Sequence, residues 1–397
     1  MSKLKSYLIL FLIFCVLLLV SQKSSAQVDS IVRSIKDSLV SKLIVDDIPQ
    51  KTFGDKFMYP HRWYVKQLLR PKITDFDTSY IMSNKRRLTI TLPITKKYYG
   101  FNLNDITKNK KLKFSPNTYY QVGFNFSNIL LTFGFSPGIR FGSKPDKGYS
   151  RSRDYQLLIV GRRVVSELNF QHYKGFYIRN ASDFVLSPQT ITSTIIRPDV
   201  KVISFGVNTL FIYNYKKYSL RGAFSFTDVQ RKSAGTFMTG FYHSHVLFSS
   251  TDTDLIKNPF RYYFSDLLNG INKISVITIG VSGGYAYTYV HKKIIASTVM
   301  NIGLGGQKIN YTTLADGGHT LSIKPTENFT AKAALRYDNL RFFSGIMAAY
   351  DKSLNFNSTR FNTEHYSGRL VLFAGYRFNI KKNGRKVLKA MRLIDYN

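Results

Sequence analysis

The sequence is short of cysteine, tryptophan, acid and long apolar runs, and each shortage excludes something. Its one cysteine, Cys15, lies in residues 1–26. There Lys3 and Lys5 precede the apolar run 7–20, and the small residues Ser24 and Ala26 precede Gln27. That is the layout of a secretory signal, and a run of about 14 residues falls short of the roughly 20 a spanning helix needs. Cleavage is expected after Ala26, with an uncleaved anchor as the alternative. Phe14 before Cys15 speaks against lipidation, because a small residue is required there. The mature chain then has no thiol, which excludes disulfides, thiolate nucleophiles and cysteine metal sets. With Trp63 the only tryptophan, an aromatic band has to be built from the 27 Tyr and 31 Phe. Only 23 acidic residues face 57 basic ones, and the formal charge of +34 falls to +31 when Lys3, Lys5 and Lys23 leave with the signal. Such a field suits nucleic acid, anionic lipid or lipopolysaccharide phosphate, or an anionic solute. Export disfavours nucleic acid.

What is present is a period of two. Residues 197–227, RPDVKVISFGVNTLFIYNYKKYSLRGAFSFT, read as a hairpin. Ile203, Phe205, Val207, Phe211 and Tyr213 fall on one face of its first strand, and Ser204, Gly206 and Asn208 on the other. After the polar turn 214–217, Tyr218, Leu220, Phe224 and Phe226 alternate with Ser219, Arg221, Ala223, Ser225 and Thr227. The expectation is that Ile203, Phe205, Val207, Phe211, Leu220, Phe224 and Phe226 face lipid. Ser204, Asn208, Ser219, Arg221 and Ser225 are the expected lumen-facing polar residues, with Gly206 beside them.

From Arg87 onward such strands follow one another, linked by short turns at 127–128, 161–162, 214–217, 291–292 and 339. Long loops at 136–153, 179–199, 305–327 and 351–367 alternate with these turns. Short turns at one end and long loops at the other are the signature of a membrane barrel. The alternation fails once, between Val229 and Lys273, where either a strand at 261–264 (RYYF) is missing or a long loop lies on the short-turn side. The fold expected is therefore all-β, a transmembrane antiparallel β-barrel of about 14 strands (12 to 16). A short N-terminal helical segment is expected outside it, because Ile31, Ile35, Leu39 and Leu43 recur at steps of four. The expected divisions are 1–26 signal, 27–80 periplasmic helical or extended segment, 81–380 barrel and 381–397 basic tail.

Several stretches resemble the family known as domain of unknown function 4421, from Bacteroidota outer membranes. They are FDTSYI at 76–81, QHYKGFYI at 171–178, RPDVKVISFGVN at 197–208, RKSAG at 231–235, GGYAYTYV at 283–290 and the closing LFAGYRF at 372–378. The resemblance implies an outer-membrane barrel without an assigned activity. It also implies outer-membrane lipid and lipopolysaccharide as surroundings, and the barrel-assembly machinery as a partner during biogenesis. Tyr376 and Phe378 resemble the strand-end signal that this machinery reads, although a basic tail follows them.

Motifs that would carry chemistry are weak. Residues 134–138 and 280–284 match G-x-S-x-G, yet neither precedes the helix that a nucleophile elbow needs. His243 and His245 share a face of one strand and are candidates for a metal or for a phospholipase-like hydrolase. Asp75 with Asp77 and Asp252 with Asp254 give D-x-D spacings without the further ligands of a calcium loop. Residues 316–319 read as a turn. No catalytic, cofactor-binding or metal residue is assigned, no cofactor is expected, and the oligomeric state is open. Basic pairs cluster at strand ends, where they reach headgroup level. The ranked readings are a pore, carrier or structural envelope component, then a barrel hydrolase, then a surface module for polyanions.

Overall fold

The computed structural model describes residues 76–379 apart from 85–86, 128–130, 136–141, 143, 187–188, 191–193, 252, 314–317, 321–322 and 356–360. The signal, the N-terminal helix, most of 27–80 and the basic tail lie outside the described residues. The strands are β1 Arg87–Asp105, β2 Lys110–Ser115, β3 Tyr120–Val122, β4 Phe124–Ser127, β5 Leu131–Phe135, β6 Arg151–Val160 and β7 Val164–Ile178. They continue as β8 Ile195–Ile212, β9 Ala234–Ser250, β10 Ile271–His291, β11 Ile294–Thr313, β12 Lys324–Asn339, β13 Phe342–Asn355 and β14 Phe361–Asn379.

Every pairing is antiparallel, and ten strands close a circuit in the order β8, β9, β10, β11, β12, β13, β14, β1, β2, β7 and back to β8. The other four strands, β3 to β6, bond outside that circuit, which gives 14 in all. β2, β3 and β4 follow one flank of β1, with a single-residue slip between the β2 and β3 registers. β5 and β6 carry the wall on to β7, and beyond their ends β2 reaches β7 directly through Phe114↔Ile178 and Ser115↔Tyr177. The circuit pairs β8 to β14 on both sides, so their ladders satisfy the backbone without help from solvent, whereas β6 meets β5 only from Leu157 to Ile159.

Directly opposed residues share a face, so the registers sort side chains into inner and outer sets. Along β10, Val276, Thr278, Ser282, Ala286 and Thr288 are buried inside, while Ile279, Val281, Tyr285, Tyr287 and Tyr289 are exposed outside. β11 presents Met300, Ile302 and Leu304 outward, and β14 presents Leu370, Leu372, Tyr376 and Phe378. On β13, Phe342 and Tyr350 mark two outward aromatic levels eight residues apart, roughly 26 Å along the strand.

Two expectations fail. Residues 218–227 are not a strand: Arg221–Ser225 form a π-helical turn and Phe226 takes a left-handed conformation, with φ 59°. The segment enters the barrel, so Leu220, Phe224 and Phe226 pack on interior side chains and not outside. Residues Phe260–Tyr263 form a 3-10 helix and not the missing strand. With both removed from the strand count the alternation holds. Residues 251–270 join the long loops, and 213–233 is a long connection at the short-turn end.

Candidate functional site

A ten-strand circuit is wider than the eight-strand barrel that wall side chains alone can fill. Here chain segments enter from both ends. At the loop end, residues 251–270 bring Leu255, Ile256, Phe260, Phe264 and Leu268 against inward Phe101, Phe248, Ile274 and Tyr311, all buried. Phe101 stacks on Phe248 with centroids 3.9 Å apart. The backbone of this cap is anchored by Arg197, which donates to the Asp254 carbonyl at 2.7 Å and to the Leu255 carbonyl. Arg197 is itself held by Asp199 at 2.8 and 3.0 Å, and Ser250 and Thr253 donate to the same carboxylate. Arg261 pairs with Asp254.

At the turn end, Tyr218 is buried among Met238, Ala286 and Val299, and Phe226 stacks on Phe373 at 4.5 Å. Two inward arginines grip the backbone between them. Arg336 Nη1 donates to the Gly222 carbonyl at 2.6 Å, and Arg377 Nε to the Phe226 carbonyl at 3.0 Å. Asp338 accepts from Arg377 Nη1 and Nη2 at 2.9 and 2.8 Å and lies 3.1 Å from Arg336 Nε, while Arg377 Nη1 also donates to the Leu340 carbonyl at 2.9 Å. Arg162, from the turn between β6 and β7, and Arg221 of the segment each lie 3.6 Å from Asp228, which also accepts from Ser219 Oγ at 2.8 Å. Residues Asp228–Gln230 pair with Ile81–Ser83, just before the first long strand at Arg87–Asp105. The turn before them is closed by Asp77, whose carboxyl the Ser79 hydroxyl and amide hold below the ordinary carboxylate range.

Between the two closures lies a polar chamber of about 150 Å³. Lys97, Lys332 and Arg369 face Asp154, Glu167 and Asp351 there. Lys97 Nζ is 2.9 Å from Asp154, and Lys332 Nζ is 2.5 Å from Glu167, which lies 3.9 Å from Arg369. Arg369 also donates to Gln156, and Asp351 accepts from Thr330 at 2.8 Å. One wall of the barrel is glycine-rich where the Tyr242 ring lies across it. A Cβ on Gly280 or on Gly303 would come within 2.6 Å of that ring.

Ser204 and Asn208 line this chamber, and Ser204 donates to Gln171 at 3.2 Å. Ser219, Arg221 and Ser225 are buried in the inserted segment, not on a strand. His243 and His245 stand on the outer face of β9, His243 tilted against Phe205 and His245 Nε2 2.9 Å from Ser275 Oγ. Ser282 of the second G-x-S-x-G lies inside an uninterrupted strand. Gly134 of the first lies in β5, and residues 136–138 fall outside the described set. So do Asp75, Asp252, Asp316 and Gly317, while His319 stacks on Tyr311. Among the described residues no group of three His, Cys, Asp or Glu could hold a metal. Nor is any described histidine hydrogen-bonded to both a hydroxyl and a carboxylate. The six charged residues at inward strand positions around the chamber escaped the sequence reading.

The model of the family described as Domain of unknown function (DUF4421) matches residues 75–378. No curated protein matches the chain. Similar solved structures include the outer membrane protease OmpT of Escherichia coli, at 8% identity and a TM-score of 0.35 over 76% of this chain and 100% of that one. The translocator domain of the autotransporter NalP from Neisseria meningitidis has 11% identity and a TM-score of 0.32 over 82% and 98%. The P. putida toluene transporter TodX has 8% identity and a TM-score of 0.24 over 79% and 94%.

Proposed function

We propose that this chain, which belongs to the family described as Domain of unknown function (DUF4421), is an outer-membrane β-barrel with a structural role in the envelope and no open path through its interior. Support for the membrane comes from the closed circuit and its outward apolar band, with aromatic residues such as Phe342 and Tyr350 at two levels. The turn end then faces the periplasm. Basic residues at strand ends, among them Arg163, Lys292 and Lys293, reach lipid phosphates at little cost, whereas at mid-membrane each would cost about 2 to 4 kcal/mol.

The observation that carries the structural role is the double closure of the lumen. The 251–270 cap buries apolar side chains at one end, and the arginine-held segment fills the other. A diffusive pore needs a continuous wet path, and a hydrolase needs a nucleophile and base exposed to substrate. The chamber instead spends its charges on one another. Liposomes holding the refolded full chain should swell no faster in isotonic sugar or amino acid than empty liposomes. Swelling that falls with solute size would show a pore and overturn this reading.

A further inference from the structure

The chamber between the closures has a feature that its ion pairs do not explain. Facing it from inward strand positions are three formal positive charges, on Lys97, Lys332 and Arg369, and three negative ones, on Asp154, Glu167 and Asp351; Lys352, which also borders it, sits at the opposite parity of its strand, paired with Phe329 and Tyr366. These groups largely satisfy one another. Polar atoms without a hydrogen-bond partner remain around the same space, and they are of both kinds. Tyr99 OH, Tyr242 OH, Ser353 Oγ and Arg369 Nε can donate, and Asn169 Oδ1, Asn208 Oδ1 and one oxygen of Asp154, Oδ1, accept. Tyr99, Tyr242 and Ser353 are each more than nine-tenths buried. A buried polar atom without a partner costs about 1–3 kcal/mol, so seven around one chamber are a substantial unmet demand.

We propose that the chamber is a binding site for a small neutral polyol. A charged guest would meet a shell whose charges already cancel and would lose its hydration without a new counter-charge. An apolar guest would leave the hydroxyls and amides unsatisfied. A polyol offers a donor and an acceptor at each hydroxyl, which matches the mixed set of orphaned atoms. Size sets the upper limit: a cavity of 150 Å³ holds a guest of about six heavy atoms, as an engineered apolar cavity of that volume holds benzene. Glycerol has that size.

The test uses the full chain refolded into detergent micelles with glycerol, with lactate or with protonated 3-amino-1,2-propanediol, three guests of equal heavy-atom count. Saturation-transfer NMR reads contact with the protein. Transfer to glycerol above both charged guests is expected. Tyr242→Phe keeps the ring on the glycine wall and removes one hydroxyl, and it should weaken glycerol about two- to tenfold. Ser353→Ala should do the same by an independent residue and keeps the test open if the first variant fails to refold. No transfer to glycerol in the wild type, which would mean that water alone satisfies these atoms, overturns the proposal. So does preference for a charged guest, or glycerol binding unchanged in the variants that fold.

Discussion

At the residue scale, the turn-end closure depends on one carboxylate. Asp338 compensates Arg336 and Arg377, both essentially buried, and those arginines in turn hold the Gly222 and Phe226 carbonyls. Asp338→Ala leaves two buried guanidinium groups facing each other without an anion. It should cost about 3–5 kcal/mol in urea unfolding of the refolded barrel, the penalty typical of an orphaned buried charge. By contrast, the double variant His243→Ala, His245→Ala removes side chains from the outer face and should shift the same curve by no more than about 0.5 kcal/mol, with no change in zinc affinity. The inward position of Ser204 and Asn208 follows from strand parity alone. The pairing of Arg336 with Gly222 does not, because it joins residues more than a hundred positions apart through a bend that no local pattern encodes.

At the scale of the element, strands with one lipid-compatible face and one inner face were legible, since period two is imposed by the pleat itself. The exception, 218–227, shows the limit of that signal. Tyr218, Leu220, Phe224 and Phe226 alternate with small and polar residues as a strand would, but the apolar set packs inside on Met238, Val299 and Phe373. Alternation reports two environments and not which solvent each meets. The clue lay in the connections: counting 218–227 as a strand broke the rhythm of short turns and long loops, and removing it restores the rhythm. The two closures also make separable predictions. Replacing 218–230 by a short turn should leave a barrel that still assembles and still does not conduct, because the cap core at 251–270 remains. Shortening both segments should open the lumen, read as fast sugar influx in the liposome assay. Influx after the first deletion alone would show that the cap does not seal.

At the scale of the whole molecule, circuit width and interior filling belong together. An eight-strand barrel fills itself with wall side chains, and much larger barrels leave an aqueous channel. Ten strands fall between, and this chain supplies the difference from its own connections, an apolar cap at one end and an ion-paired insertion at the other. The formal charge of the sequence is +34, yet the buried arginines of the interior are paired with carboxylates. Arg221, Arg336 and Arg377 lie inside, each beside Asp228 or Asp338. Single-channel recording of the refolded full chain in planar bilayers, with anion and cation gradients, tests the filled lumen most directly. The filled barrel predicts no stepwise conductance at either polarity. Stable steps with a reversal potential set by the anion gradient would contradict it.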